Sequence, residues 1–122
     1  MKAKEFLERA RGINNKINRH LELHKEWVDI YEKVKGTPSE KVVEKYLEGY
    51  AKALDDLCFI KHSTLLVIMP VLDEDEYKVI KFCIFEDCPE EFMEDAFNGD
   101  KNYADECYSS AIEKIEKKFE EK

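Results

Sequence analysis

Two histidines, His20 and His24, are the first residues in this sequence whose type and spacing could support chemistry. A separation of four residues places both imidazoles on one face of a helix, where they could share a metal ion. The sequence around them offers no carboxylate or third ligand at a matching spacing. We therefore interpret the pair as packing residues at polar positions of a helix interface, and we expect no metal there.

Four cysteines are the second candidates for chemistry. They stand at positions 58, 83, 88 and 107, and none belongs to a C-x-x-C pair. Cys83 and Cys88 have no histidine close by, so the ligand spacing that zinc requires is missing. Reduced cysteines that pack as small apolar side chains are the better interpretation.

Carboxylates crowd one short segment, at Glu90, Glu91, Glu94 and Asp95. Paired carboxylates carry out acid–base catalysis only in a cleft that shifts their pKa values. On so short an amphipathic helix we expect them to form a solvated face instead. The sequence also contains no G-x-S-x-G, no phosphate-binding glycine loop and no H-E-x-x-H motif. It therefore predicts a protein that is not an enzyme and needs no cofactor.

Composition indicates one helix-rich domain over residues 1–122, with 39% charged and 43% apolar residues. Four glycines and three prolines leave few turns and favour long helices. No apolar run is long enough to span a bilayer, and no signal segment opens the chain. We therefore expect no membrane partner and a location in the cytoplasm of a host cell.

The N-terminal quarter follows a heptad from Lys4 to Val34, which predicts one long helix. We expect its apolar seam to pack on a second helix and, along its open side, on another copy of the chain. The residues of this predicted dimer seam are Phe6, Ile13, Ile17, His20, His24, Trp27 and Tyr31.

A break at Gly36-Thr37-Pro38-Ser39 separates that helix from the next one. Spacings of three and four from Val43 to Ile60 predict a second helix that ends at Pro70. Because the connection is short, the two helices should form an antiparallel hairpin over residues 3–69.

The segment 63–85 allows two interpretations. Ser63–Met69 and Tyr77–Phe85 could pair as a β-hairpin around an acidic turn. The D-x-x-E pattern at Asp73 and Glu76 instead favours a helix over Glu74–Phe85, because it matches a capping box.

Residues 86–119 predict a short helix, a tight turn and a longer helix. Pro89 suits a first helical position, Asn98-Gly99 suits a helix end, and Asp100 suits an N-cap. The last helix places Ala104, Cys107, Ala111, Ile115 and Phe119 along one face. Two helices joined by a glycine-containing turn are typical of a helix-turn-helix, whose second helix would read DNA.

The distribution of charge opposes that role. Residues 1–35 hold nine Lys/Arg against six Asp/Glu, whereas residues 86–122 hold five against thirteen. Affinity for DNA comes largely from neutralised phosphates, which this acidic end would repel.

Three segments resemble phage late-transcription regulators of the ArpU/RinA type. The first is similar to the N-terminal helix of that family and reads AKEFLERARGINNKINRHLELHKEW. The second is similar to the part of the family that resembles region 4 of bacterial sigma factors, and reads DEDEYKVIKFCIFEDCPEEFMEDAF. The third, ADECYSSAIEKI, matches the apolar skeleton of the family's last helix.

This resemblance implies an all-α fold, in which the hairpin is followed by a three-helix, sigma-region-4-like head at residues 73–119. It also implies a phage or prophage origin and DNA binding through exposed positions of the last helix. Those positions hold Lys101, Asp105, Glu106 and Ser109, so the expected basic side chains are largely missing. This sequence thus matches the apolar positions of the family's last helix but lacks the basic residues of its DNA-binding surface.

The acidic face has two interpretations, and its residues are Glu90, Glu94, Asp95, Asp100, Asp105, Glu106 and Glu113. It could simply keep the protein soluble. It could also imitate the phosphates of a nucleic acid and bind the basic surface of a protein partner, as DNA-mimic inhibitors such as anti-CRISPR proteins do. We expect the second, and the alternative is a regulator that binds DNA through the helix-turn-helix.

Overall fold

The computed structural model describes residues 2–89, 92, 95 and 97–120, and these residues contain helices and no strand. The helices are α1 (Ala3–Glu8), α2 (Ile13–Val34), α3 (Glu40–Ile68), α4 (Glu74–Ile80) and α5 (Lys101–Glu120). The prediction of an all-α fold is confirmed, and the β-hairpin alternative for residues 63–85 is wrong. Within the described residues no helix combines the length and apolarity needed to cross a membrane.

The prediction of one continuous helix from Lys4 to Val34 is wrong. Helix α1 ends at Glu8, and α2 begins at Ile13. Gly12 lies between them with φ +67°, a left-handed conformation that ends helices and that glycine adopts without strain. Its N–H donates to the Ile84 carbonyl at 2.7 Å, and the Arg11 guanidinium donates to Asp87 at 2.9 Å. Contacts far along the chain therefore hold this break in place.

The second predicted helix is confirmed. Helix α3 begins at Glu40, after a turn in which Gly36 has φ +83°. The Thr37 hydroxyl closes the same turn by donating to the Val34 carbonyl at 2.5 Å. The helix ends at Ile68, two residues before Pro70, as a proline stop requires.

The helix predicted over Glu74–Phe85 is present, but its last turn is wider than an α-helix. Asp73 and Glu76 form the predicted capping box, each side chain accepting from the other's backbone N–H, at 2.8 and 2.9 Å. Residues Lys81–Phe85 then form a π-helical turn. No local sequence signal predicted that geometry.

The chain divides into two compact units, which we call the head unit and the hairpin unit. The head unit comprises residues 1–13 and 60–122, and the hairpin unit comprises residues 14–59. Both ends of the predicted hairpin, 3–69, thus fall in the head unit. The core of the head unit is built from α1, the end of α3, α4, the π-helical turn and α5. The buried residues of this core include Leu7, Ile68, Val79, Ile80, Ile84, Phe85 and Ile115.

Within the hairpin unit, α2 and the first part of α3 run antiparallel, as predicted. Tyr31 donates from its hydroxyl to Glu40 at 3.1 Å. About one turn earlier in α2, the Trp27 ring stacks on Tyr46 with centroids 4.5 Å apart. Residues earlier in α2 thus meet residues later in α3, which is the signature of an antiparallel pair.

A buried carboxylate joins α4 to α5 in the head unit. The Glu76 side chain is 3% exposed. Besides capping α4, it accepts from Ser110 Oγ at 2.5 Å and from Lys114 Nζ at 2.6 Å. Burial alone would raise its pKa. The hydrogen bonds from the Asp73 backbone, Lys114 and Ser110 outweigh burial and lower the pKa from 4.5 to about 2.

We predict that ionised Glu76 makes stability depend on acid pH. Because its pKa is lower in the folded state than in the unfolded state, the contribution is complete above about pH 5 and is lost as the pH falls towards 2. The loss should amount to about 2 to 3 kcal/mol of the free energy of unfolding. Urea unfolding followed by circular dichroism at several pH values measures it.

The Glu76→Gln variant is the control, because glutamine cannot ionise. It should be less stable than the wild type at pH 7, and its stability should change less between pH 5 and 2. If the two proteins lost stability in parallel over that range, Glu76 would not be the responsible group.

Candidate functional site

The turn before α5 follows the prediction made from its residues. Asn98 and Gly99 have φ values of +56° and +84°, both left-handed. Asp100 then accepts a hydrogen bond from the Tyr103 backbone N–H at 2.9 Å. An N-cap carboxylate of this kind satisfies an otherwise unpaired N–H and fixes where the helix begins.

Helix α5 separates its apolar and acidic residues cleanly. Ala104, Cys107, Ala111 and Ile115 are all buried in the head unit, as their spacing predicts. Asp105 and Glu106 therefore face solvent, and so does Glu113, about two turns further along the helix. Asp95 and Asp100 are exposed as well, whereas Glu90 and Glu94 lie outside the described residues.

The first turn of α4 brings further acidic residues close to the start of α5, and the sequence alone did not predict this. The Tyr103 hydroxyl donates to the Asp75 carboxylate, which brings the first turn of α4 against the first turn of α5. Asp73 and Glu74 are exposed at that end of α4. We call Asp73, Glu74, Asp75, Asp100, Asp105 and Glu106 the acidic surface, which wraps around the start of α5, because Asp105 lies roughly 200° around that helix from Tyr103. The capping-box motif signalled α4, but nothing local revealed that its start meets α5.

The electrostatic effect of these carboxylates is visible on two neighbouring groups. The hydrogen bond to Asp75 raises the pKa of Tyr103. Burial raises the pKa of the Cys107 thiol, and the negative charges of Asp75 and Asp73 raise it further. Both effects favour the protonated thiol of Cys107 over the thiolate.

Helix geometry gives the acidic surface a structural role as well. The N-terminus of a helix carries a partial positive charge, which stabilises nearby carboxylates. Asp75 and Asp100 lie at such ends. Asp105 and Glu106 lie beyond the first turn of α5 and make no hydrogen bond of this capping type, so helix ends do not account for them.

The residues of the predicted dimer seam are divided between the two units. Phe6 and Ile13 are buried in the head unit, where the Phe6 ring meets the Phe119 ring edge-on at 5.1 Å. The others, Ile17, His20, His24, Trp27 and Tyr31, lie in the hairpin unit. His20 lies edge-on to Tyr50 of α3, with centroids 6.4 Å apart. The structure thus provides several of these residues with partners inside the same chain.

The described residues form no group of three or more His, Cys, Asp or Glu side chains arranged to hold a metal ion. None of the four cysteines, all of them within the described residues, forms a disulfide.

Comparison with known proteins leaves the family open. No protein-family model, curated protein or solved structure matches this chain. The resemblance to phage regulators therefore remains a prediction.

We predict that Asp100 stabilises the head unit through its hydrogen bond rather than its charge. Asp100→Ala should cost about 1 kcal/mol of the free energy of unfolding, because alanine cannot accept from Tyr103 N–H. Asp100→Asn keeps an acceptor oxygen and should match the wild type within about 0.5 kcal/mol. Urea unfolding of the three proteins tests this, and an asparagine variant as unstable as the alanine variant would contradict it.

Proposed function

We propose that this chain is a small acidic protein of phage or prophage type that binds the basic, nucleic-acid-binding surface of a protein partner. By occupying that surface it inhibits a host machine that handles nucleic acid, in the manner of a DNA mimic. It acts by binding and not by catalysis.

The observation that carries this proposal is the position of Asp105 and Glu106. They are exposed on α5, while their neighbours Ala104 and Cys107 are buried. Acidic side chains thus occupy the face that would read a DNA groove if α5 were a recognition helix. Side chains that read bases are mainly Arg, Lys, Asn and Gln. A helix with acidic side chains in these positions would instead bind a basic protein surface.

The charges of the two units support a role for the head. The head unit holds 12 Lys/Arg against 19 Asp/Glu, a net charge of −7, whereas the hairpin unit holds 8 against 9. A concentration of one sign of charge speeds association with an oppositely charged partner and disfavours partners of like charge. The head unit would therefore attract a basic protein surface and repel nucleic acid.

The alternative, a DNA-binding regulator, depends on the basic residues near the N-terminus. Lys2, Lys4, Arg9, Lys16 and Arg19 are exposed and could contact phosphates. Arg11, however, is paired with Glu8 and Asp87. Phosphate contacts alone would also give binding without sequence specificity.

A gel shift with duplex DNA at low salt separates the two functions. We expect no retarded complex, because the head unit repels phosphates and low salt leaves that repulsion largely unscreened. Tight and sequence-selective retardation would overturn the inhibitor proposal and support the regulator.

The Asp105→Lys/Glu106→Lys double variant tests the acidic surface directly. A partner captured from host lysate and then purified should bind it about tenfold or more weakly than the wild type, because a favourable charge contact becomes repulsive. Both positions are exposed, so the fold should persist, and circular dichroism checks this.

The matched control is Glu22→Lys/Glu26→Lys, which changes the net charge equally on exposed positions of the hairpin unit. It should retain wild-type affinity. Equal loss in both variants would indicate a response to net charge alone, and unchanged binding in the head variant would mean that the acidic surface serves solubility.

A further inference from the structure

The hairpin unit has almost no core of its own. Of residues 14–59, Val43 is the one that is buried. Large apolar side chains are exposed on both helices of the unit, among them Leu21, Val28, Ile30, Val42 and Tyr46. Most helical stability in proteins comes from burying an apolar face. Two helices alone leave much of that face in water here.

Two exposed apolar residues, an exposed glycine and a half-buried alanine form a regular stripe on α3. Val42, Tyr46, Gly49 and Ala53 follow one another at spacings of four, three and four, as in a helix that packs against another helix. These residues contribute to two shallow grooves of about 280 and 390 Å³, both of which Lys45 also lines, while His20 and Tyr50 complete the smaller one. Apart from its chain neighbours and the backbone of its own helix, no atom lies within 4 Å of the place where a Gly49 side chain would begin. The α3 stripe is thus open along its length.

We propose that the α3 stripe binds the same stripe of a second copy of the chain, with the two helices antiparallel. A twofold axis between Leu47 and Glu48 would set Val42 opposite Ala53 and Tyr46 opposite Gly49. Each large side chain would then meet a small one, which lets the helices approach closely and fill the grooves. The contact is self-complementary, as a twofold dimer requires.

The small net charge of the hairpin unit favours a second copy as the occupant, together with the self-complementary spacing of the stripe. The hairpin unit has a net charge of only −1, whereas the head unit has −7. Two hairpin units therefore meet with little net repulsion, whereas two head units would repel each other. A nearly neutral, apolar stripe also gives a strongly basic protein or a nucleic acid no electrostatic reason to prefer it.

This interface differs from the dimer seam expected from the heptad of α2. Trp27 and Tyr31 of that seam contact Tyr46 and Glu40 within their own chain. The α3 stripe lies beside those contacts and shares only Tyr46 with them. Dimer formation therefore requires no contact in the hairpin to be broken.

Light scattering coupled to size-exclusion chromatography tests the proposal on the full chain. At tens of micromolar we expect a mass twice the monomer value of 14.4 kDa. Trp27 is the single tryptophan, and it stacks on Tyr46 at the edge of the interface. Its emission should therefore change on dilution over the same concentration range in which the mass falls. A monomer mass up to several hundred micromolar would overturn the proposal.

Gly49→Glu and Val42→Lys should each yield a monomer at concentrations where the wild type is dimeric. Each change places a charge in the stripe, and the space around Gly49 accepts a side chain without an internal clash. Glutamate also favours the helix more than glycine does, so the circular dichroism signal should not fall.

The control is Ala51→Glu, an exposed position roughly 200° around α3 from Gly49. It introduces the same charge and should remain dimeric. If Gly49→Glu and Val42→Lys stayed dimeric, or if Ala51→Glu dissociated as they do, the α3 stripe would not be the interface.

Discussion

The buried carboxylate of Glu76 constrains how α4 and α5 pack in the head unit. An ionised group removed from water must have its oxygens paired, and here one oxygen faces the start of α4 while both face α5. Ser110 and Lys114 lie one turn apart on α5, so these bonds fix both the rotation and the register of that helix. The face that α5 presents to solvent follows directly. Asp105 and Glu106 point outwards because the opposite side is committed to Glu76 and to the apolar stripe.

Local signals in the sequence predicted much of this arrangement. The capping box, the left-handed Asn98-Gly99 pair, the Asp100 cap and the stop before Pro70 all depend on residues within a few positions of one another. Each involves a conformation or hydrogen bond that the neighbouring residues alone determine. The exposed positions of α5 followed from the period of its apolar residues. The assignment of Asp105 and Glu106 to an exposed face thus came from spacing alone.

Local signals could not predict interactions between residues that are far apart in the sequence. Ser110 and Lys114 stand 34 and 38 residues from Glu76, and no periodicity links them. The break at Gly12 shows the same limit in another form. Ala10 and Ile13 keep the heptad spacing across the break, and both are buried in the head unit. A heptad pattern shows which positions are apolar, but it does not show whether they all belong to one continuous helix. The contacts of Arg11 and Gly12 with residues 83–87 decided that the helix ends.

The two units distribute charge and apolar surface in complementary ways. The head unit buries its apolar residues and concentrates negative charge, whereas the hairpin unit is nearly neutral and leaves an apolar stripe exposed. At physiological salt, charges are screened beyond about 8 Å, so the acidic surface acts only on groups that come close to it. Two hairpin units repel each other only weakly, because each has a net charge of −1, and apolar contact between them can therefore act. A single surface cannot be both neutral enough to pair with its copy and acidic enough to select a basic partner. A protein that associates through one unit and recognises a basic partner through the other therefore needs units of different net charge.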